Sequence, residues 1–427
     1  MTTQQTLQTE EYKQTELGEL PKEWDVVKLG DVANYINGYP FKPIQWKKSG
    51  IPIIRIQNLT GSSNKENYFD GSIPEKYKVK KGDILISWSA SLGIFEWVRE
   101  DGWLNQHIFK VENYSPKINK DFFYYVVGTQ INFMKGKTHG STMHHITKLS
   151  FLDVNIPLPS LQEQQKIAYV LSTVQNAQEK TENFINCLKE LKKSAMKHLL
   201  TYGAVSFEDI DKVELKESEI GMMPKSWKIK ELGKIGTFQY GYTETSSEKK
   251  IGPKFLRITD IDLNKSQVFW GTVPYCKIDN KEYSKYSLSD GDILIARIGA
   301  TTGKTCIIKN SPESVFASYL IRYKVNEDDL NAKYVYYFTA SNIYWKQINS
   351  NKDDKLKKGV SSSQLKKFNI PLPSLTEQQN IASILSAIDE KIQAEEQKKE
   401  ALKETFNSLL KNLMTAKIRV NNLEVGA

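Results

Sequence analysis

Three cysteines in 427 residues, Cys187, Cys276 and Cys306, are too few and too unevenly spaced for a disulfide framework or a zinc site. They fit a reducing compartment. Long apolar runs are missing too: "IPIIRI" and "DILIA" fall far short of a bilayer span. The N-terminal "MTTQQTLQTEEYKQ" has no apolar signal-peptide core, so a soluble cytoplasmic protein is the expectation. There is no Pro-Pro, which excludes the Asn/Asp-Pro-Pro-aromatic motif of a self-contained adenine methyltransferase. The closely spaced histidines His139, His144 and His145 come without a cysteine or matched carboxylate partner, which argues against a metal centre. "GATTGKT" (Gly299 to Thr305) fails as a nucleotide loop. Its glycines enclose three residues where four are needed, and Ile298 stands where a glycine is required. A loop presenting Lys304 to a phosphate is the better reading. No catalytic, metal or cofactor residue is assigned.

What is present is a formal charge of +9 with 39% hydrophobic residues, a folded chain suited to a polyanionic partner. The chain also repeats itself. "NIPLPSLQEQQKIA" (Asn155 to Ala168) returns as "NIPLPSLTEQQNIA" (Asn369 to Ala382), offset by 214. "TELGELPKEWDVVKLGDV" (Thr15 to Val32) returns as "SEIGMMPKSWKIKELGKI", offset by 203, and "KGDILISWSASLGI" as "DGDILIARIGATTGK", offset by 209 to 210. A period of half the chain means two copies of one large unit rather than a solenoid of small repeats. The bodies between the matches otherwise agree poorly, as expected of a shared scaffold serving two different targets.

In each body, short β-branched runs ("PIIRIQ", "DILIS", "QHIFKVE"; "FLRITD", "DILIAR", "YLIRYKV") sit between Gly, Asn, Ser and Pro clusters. "KDFFYYVVGTQINFMKG" and "AKYVYYFTASNIYWKQI" each read as one helix, which makes the modules α+β. The repeated motif begins with prolines that favour an extended entry. It continues with Ser160-x-x-Glu163 and Ser374-x-x-Glu377, each read as a capping box. From Leu161 to about Tyr202, and from Leu375 to about Ala416, there is neither glycine nor proline. Each stretch makes a helix of roughly 60 Å. Apolar positions at heptad spacing (Ile167, Leu171, Val174, Phe184, Leu188 and Leu191; Ile381, Leu385, Ile388, Leu402, Phe406 and Leu409) predict a helix-pair or partner interface. An antiparallel pair with a module at each end satisfies both connections. The expected divisions are 1–158, 159–203, 204–372 and 373–427.

The two "NIPLPSLxEQQxIA" segments, the two "G-x-x-P-K-x-W-x-x-x-x-L-G" segments and both "GDILI" runs resemble the specificity subunits of type I restriction-modification systems across essentially the whole chain. The resemblance implies two target recognition domains, each reading half of a split asymmetric DNA site. It also implies a helix pair that sets the spacer and docks two modification subunits. S-adenosylmethionine would sit on those subunits, and ATP and Mg2+ would serve a separate restriction and translocation subunit; this chain itself would be non-catalytic. The rival readings are a coiled-coil scaffold with non-specific DNA binding and a self-contained methyltransferase or nuclease.

Candidates for touching DNA lie on loops between the shared strands. In the first body they are Tyr35, Asn37, Lys42, Arg55, Asn58, Trp88, Ser91 and His107, with His139, His144 and Lys148 of "THGSTMHHITK". In the second they are Tyr240, Tyr242, Arg257, Arg297, Thr301, Lys304 and Tyr319, with Lys357, Lys358 and Ser362 of "DDKLKKGVSSS". Arginine and lysine pair with guanine edges and asparagine with adenine. Arg55 and Arg257 occupy matching places, which suits scaffold pairing equally well. Positions that differ between the copies, such as Trp88 against Arg297, are the better candidates for sequence choice.

Overall fold

The computed structural model describes residues 11–89, 91–137, 147–350 and 359–424. The chain divides into two compact units, Met1–Glu182 with Gln397–Ala427, and Asn183–Glu396. Each unit therefore combines one body with half of each long helix.

In the first unit an antiparallel sheet runs in the order Asn34–Asn37, Ile108–Glu112, Ile84–Ser87, Gly93–Glu96. The strand Ile84–Ser87 is buried along its whole length, which explains its unbroken apolar run. Helix Lys120–Lys137 supplies Phe122, Phe123, Val126 and Val127 to the same core. A smaller sheet pairs Ile51–Ile54 in parallel with Gly102–Leu104. The second unit repeats the plan with Gly236–Tyr240, Leu320–Val325, Ile293–Ala296 and Thr305–Ile307, and a parallel pair Lys254–Leu256 with Ser314–Phe316. Its helical segment differs from the expected single helix. It breaks into Ala332–Thr339 and Asn342–Ser350, because Ser341 ends one and its Oγ accepts the Tyr344 N–H at 3.3 Å to start the next.

The repeated motif closes each body. Its first residues form strands Asn155–Leu158 and Asn369–Leu372, which pair antiparallel with Asp25–Lys28 and Lys228–Glu231 just after the repeated tryptophans. These are two-stranded ribbons, where proline costs no interior ladder bond. Ser160 Oγ and Ser374 Oγ each accept the N–H of the glutamate three residues on, at 3.3 Å. The expected return half of the capping box is replaced. The Glu163 carboxylate accepts Trp24 Nε1 at 2.9 Å, and Glu377 accepts Trp227 Nε1 at 3.0 Å. A buried indole N–H requires an acceptor, and the carboxylate goes where none other is supplied.

The next residue is a clamp. Gln164, wholly buried, accepts the Asn119 N–H at 2.7 Å and donates to the Lys117 and Pro159 carbonyls at 2.9 and 2.8 Å. Gln378 does the same with Asn331 N–H at 2.9 Å and the Asp329 and Pro373 carbonyls, both at 3.1 Å. The near-identity of the two motifs is thus a set of buried polar groups satisfied in one geometry.

The long helices are Leu161–Tyr202 and Leu375–Met414. The second stops short of the expected Ala416, which takes a left-handed conformation at φ 53°. Their halves run antiparallel inside each unit. In the first, Gln178 Nε2 donates to the Leu402 carbonyl at 2.9 Å and Glu182 pairs with Lys399. In the second, Lys189 pairs with Glu396 at 3.1 Å and Lys192 with Asp389 at 2.6 Å. Ile167, Leu171, Leu188, Ile381 and Leu385 are buried; Val174, Ile388, Leu402, Phe406 and Leu409 are half-buried. Phe184 and Leu191 depart from expectation, at 44% and 52% exposed, while Ile185 is buried at 2%. Phe184 still meets the second helix, where Lys391 Nζ lies over its ring at 5.6 Å.

Candidate nucleic-acid interface

One end of the first sheet gathers four of the candidates. Asn37 ends the first strand, Trp88 follows Ile84–Ser87, His107 precedes Ile108–Glu112, and Lys148 opens the short helix Lys148–Leu152. The Trp88 N–H donates to the His107 carbonyl at 3.2 Å, and Trp88 Nε1 to Asn37 Oδ1 at 3.3 Å. The indole packs edge-on against His107 at 4.9 Å and stacks on Phe109 at 5.7 Å. Lys148 Nζ donates to the Tyr35 carbonyl at 3.0 Å. His107 sits at φ 72° with Nδ1 buried and unpaired, a costly conformation and a costly atom for a residue with no role in the core.

The second sheet places Tyr240, Arg297, Tyr319 and Ser362 at the same four stations. The strand registers match: Ser87 faces Ile108 as Ala296 faces Leu320, and Asn37 faces Phe109 as Tyr240 faces Ile321. The Arg297 N–H donates to the Tyr319 carbonyl at 3.2 Å, as Trp88 does to His107. The Arg297 guanidinium lies 4.8 Å from the Tyr240 ring centroid, and the Ser362 N–H donates to Tyr240 Oη at 3.0 Å. Burial works against ionisation of that phenol, but the Ser362 hydrogen bonds and the Arg297 and Lys366 charges prevail and hold it below its usual value. Tyr319 is 56% exposed. A glycine follows the first strand in both sheets, Gly38 and Gly241, because a Cβ there would overlap the Asn105 or the Ala317 carbonyl.

Other candidates lie elsewhere or do other work. Tyr35 belongs to the core: it is 5% exposed, packs on Phe109, Phe123 and Phe151, and donates to the Leu29 carbonyl at 3.0 Å. Arg55 donates to Asn67 Oδ1 at 3.0 Å and stacks over Trp46, while Asn58 accepts the Arg55 N–H and donates to the Lys65 carbonyl. Arg257 holds Asp260 through Nε at 3.0 Å and Nη2 at 2.8 Å. Both arginines brace a turn, so their matching places reflect the scaffold. Lys304 Nζ is bound to Asn264 Oδ1 at 2.7 Å, and Tyr242 packs on Tyr286. Lys42 and Ser91 are exposed and Thr301 half-buried in a turn. His139, His144, Lys357 and Lys358 lie outside the described residues.

Sequence reasoning missed Arg419. Its Nε donates to Glu163 Oε1 at 2.7 Å and its Nη2 to Glu23 Oε1 at 2.8 Å, so the tail of the chain completes the first module. The Trp–Glu partnership did carry a signal, since both residues recur together in the two repeats. Among the described residues no three His, Cys, Asp or Glu side chains converge to hold a metal ion, and no helix is long and apolar enough to cross a membrane.

Comparison with known proteins agrees with this two-part plan. The family model described as the type I restriction modification DNA specificity domain matches residues 21–193 and 224–404. The chain is 27% identical to the type I restriction enzyme MjaVIII specificity subunit of Methanocaldococcus jannaschii, over 97% of both chains. It is 30% identical to the MjaIX specificity subunit of the same organism over 97% of this chain and 98% of that one. With the EcoBI specificity subunit of Escherichia coli it shares 26% over 94% of this chain and 83% of the other. The fold is similar to the crystal structure of a type I restriction-modification S subunit from M. genitalium, with TM-score 0.58 and 15% identity over 91% of this chain and 96% of that one. A structure from a study of type I complex assembly and conformational transition gives TM-score 0.51 and 16% identity, over 93% and 99%.

Proposed function

This chain belongs to the type I restriction modification DNA specificity domain family, and from that premise we propose that each of its two modules reads one half of a bipartite, asymmetric DNA site. The observation that carries the proposal is the pair of sheet ends. One backbone frame presents Asn37, Trp88, His107 and Lys148 in the first unit and Tyr240, Arg297, Tyr319 and Ser362 in the second. A scaffold that holds its hydrogen bonds constant while exchanging the chemistry at its rim suits two readers of different sequences. The net charge of +9 supports phosphate contacts, which supply affinity while base contacts supply choice.

The long helices set the distance between half-sites and dock two modification subunits. A helix of about 60 Å exceeds the ~34 Å between half-sites one DNA turn apart. The chain performs no chemistry itself. Methyl transfer with S-adenosylmethionine, and ATP- and Mg2+-dependent translocation and cleavage, belong to partner subunits acting on cytoplasmic DNA. The test is co-expression with a modification subunit, followed by genome-wide mapping of methylated adenines. A split motif is expected. Replacing residues 1–158 with another family member's first module should change one half and leave the other. Inserting a few residues near both Asn183 and Gln397 should change the spacer, and an unchanged spacer would sink the ruler. Weak, salt-sensitive binding to every duplex alike would favour the non-specific scaffold instead.

A further inference from the structure

We infer that Arg297 reads a guanine in the half-site of the second module, and that the half-site of the first module is read without an arginine. The inference rests on the DNA-recognition reading above and adds the base to it.

The chain has six arginines, and all lie among the described residues. Five are engaged within the protein. Arg55 is hydrogen-bonded to Asn67 and stacked on Trp46, and Arg99 pairs with Glu66 at 3.2 Å. Arg257 grips Asp260 with two nitrogens. Arg322 donates to the Ser287 and Lys285 carbonyls at 2.6 and 2.9 Å and pairs with Asp292. Arg419 is held by Glu163 and Glu23.

Arg297 differs from all five. Among the described residues no carboxylate pairs with it, and its side chain makes a single hydrogen bond, from Nη1 to the Ser318 carbonyl at 3.3 Å. Its Nε is shut away from solvent without an acceptor, an unfavourable arrangement. The guanidinium lies over the Tyr240 ring, 4.8 Å from its centroid, and Tyr240 is itself held by the Ser362 N–H. The side chain is therefore held in advance, and at the tip of its fork Nη2 and one hydrogen of Nη1 have no acceptor among the described residues. Guanine offers two acceptors, O6 and N7, on its major-groove edge, spaced for such a fork. At the same station the first module has Trp88, whose single N–H is spent on Asn37.

The test uses the full chain co-expressed with its modification subunits, as wild type, R297Q and R297K. Methylated sites are mapped, and affinity is measured on duplexes carrying each base at each position of the second half-site. At one G·C position, preference should fall roughly tenfold to a hundredfold in R297Q and by less in R297K, because lysine can reach a guanine acceptor but lacks the fork. The first half-site should be unchanged, which also shows that the variants fold and assemble. A uniform loss across all sequences with a shallower salt dependence would mean a phosphate contact and would overturn the inference. So would a second half-site without a G·C pair, or a retained preference. A wild-type complex with no bipartite site at all would instead defeat the underlying function. Should the variants fail to assemble, wild-type binding to duplexes with 7-deazaguanine, which lacks the N7 acceptor, serves the same end. Loss at one guanine of the second half-site supports the inference, and loss at none refutes it.

Discussion

The two sheet ends are built alike and furnished differently. In each, a strand ends before a glycine that only just clears a neighbouring carbonyl, and a N–H at the variable station donates to the carbonyl opposite. On that frame the first module carries an amide, an indole, an imidazole and an amine. The second carries two phenols, a guanidinium and a hydroxyl. The difference teaches that the residues holding each body together are separate from those that vary at its rim. The residues that hold each body together, such as the Trp–Glu pair and the buried glutamine, are repeated. Those at the rim are exposed or half-buried and differ between the copies, although Trp88 also packs on the core through Phe109.

The largest expected effects test the repeated part. Gln378→Leu and Gln164→Leu each strand one N–H and two carbonyls in a dry site, and each should cost about 4 kcal/mol in denaturant unfolding. Clearly unequal losses would break the equivalence of the two clamps. Next comes a feature of the first module alone. Arg419→Ala leaves Glu163, 6% exposed at its side chain, without its cation and should cost about 3 kcal/mol. Hydrogen exchange should show the loss in the first unit and none in the second. Among the described residues Glu377 has no ion pair, so the second module has nothing equivalent to lose.

Smaller effects test the rim. Exchanging the two residues at one station, Trp88→Arg with Arg297→Trp, should cost about 1–3 kcal/mol of stability, mostly from losing the Trp88 stack on Phe109, while altering the methylated motif. A collapse of folding would show that the rim and scaffold are not separable. The smallest effect is electrostatic. Tyr240 ionises below its ordinary value near 10, whereas burial raises Tyr35, Tyr125 and Tyr323 well above it. Just below pH 10 the unfolded chain holds more protons at Tyr240, so that residue adds stability as pH rises. Above pH 10 the folded chain retains protons on the buried phenols, and stability falls. In an ultraviolet tyrosinate titration, Tyr240→Phe should remove the component that appears at lowest pH.

Much of the architecture was legible in the residues. The offsets of 203, 209 and 214 revealed two copies, and the capped stretches without glycine or proline revealed the two long helices. Heptad counting did not foresee that Phe184 and Leu191 would be partly exposed, with Phe184 meeting the second helix through Lys391. Tyr35 was misjudged too. In a short alternating strand the inward and outward faces differ by one residue, and only the packing of Phe109, Phe123 and Phe151 fixes which is which.

By itself, then, the sequence determined the two-module plan and its helices, since repeats and periodicity are properties of the chain alone, and its resemblance to specificity subunits implied the class of partner. The tertiary structure decided which polar side chains are spent. Arg257 and Arg297 are the same residue type after matching kinds of strand, yet one is locked on Asp260 and the other, among the described residues, has no carboxylate partner and gives a single side-chain hydrogen bond. The reason is physical. Whether a hydrogen-bonding group is available depends on what the fold brings within 3 Å of it, and no spacing along the chain records that distance.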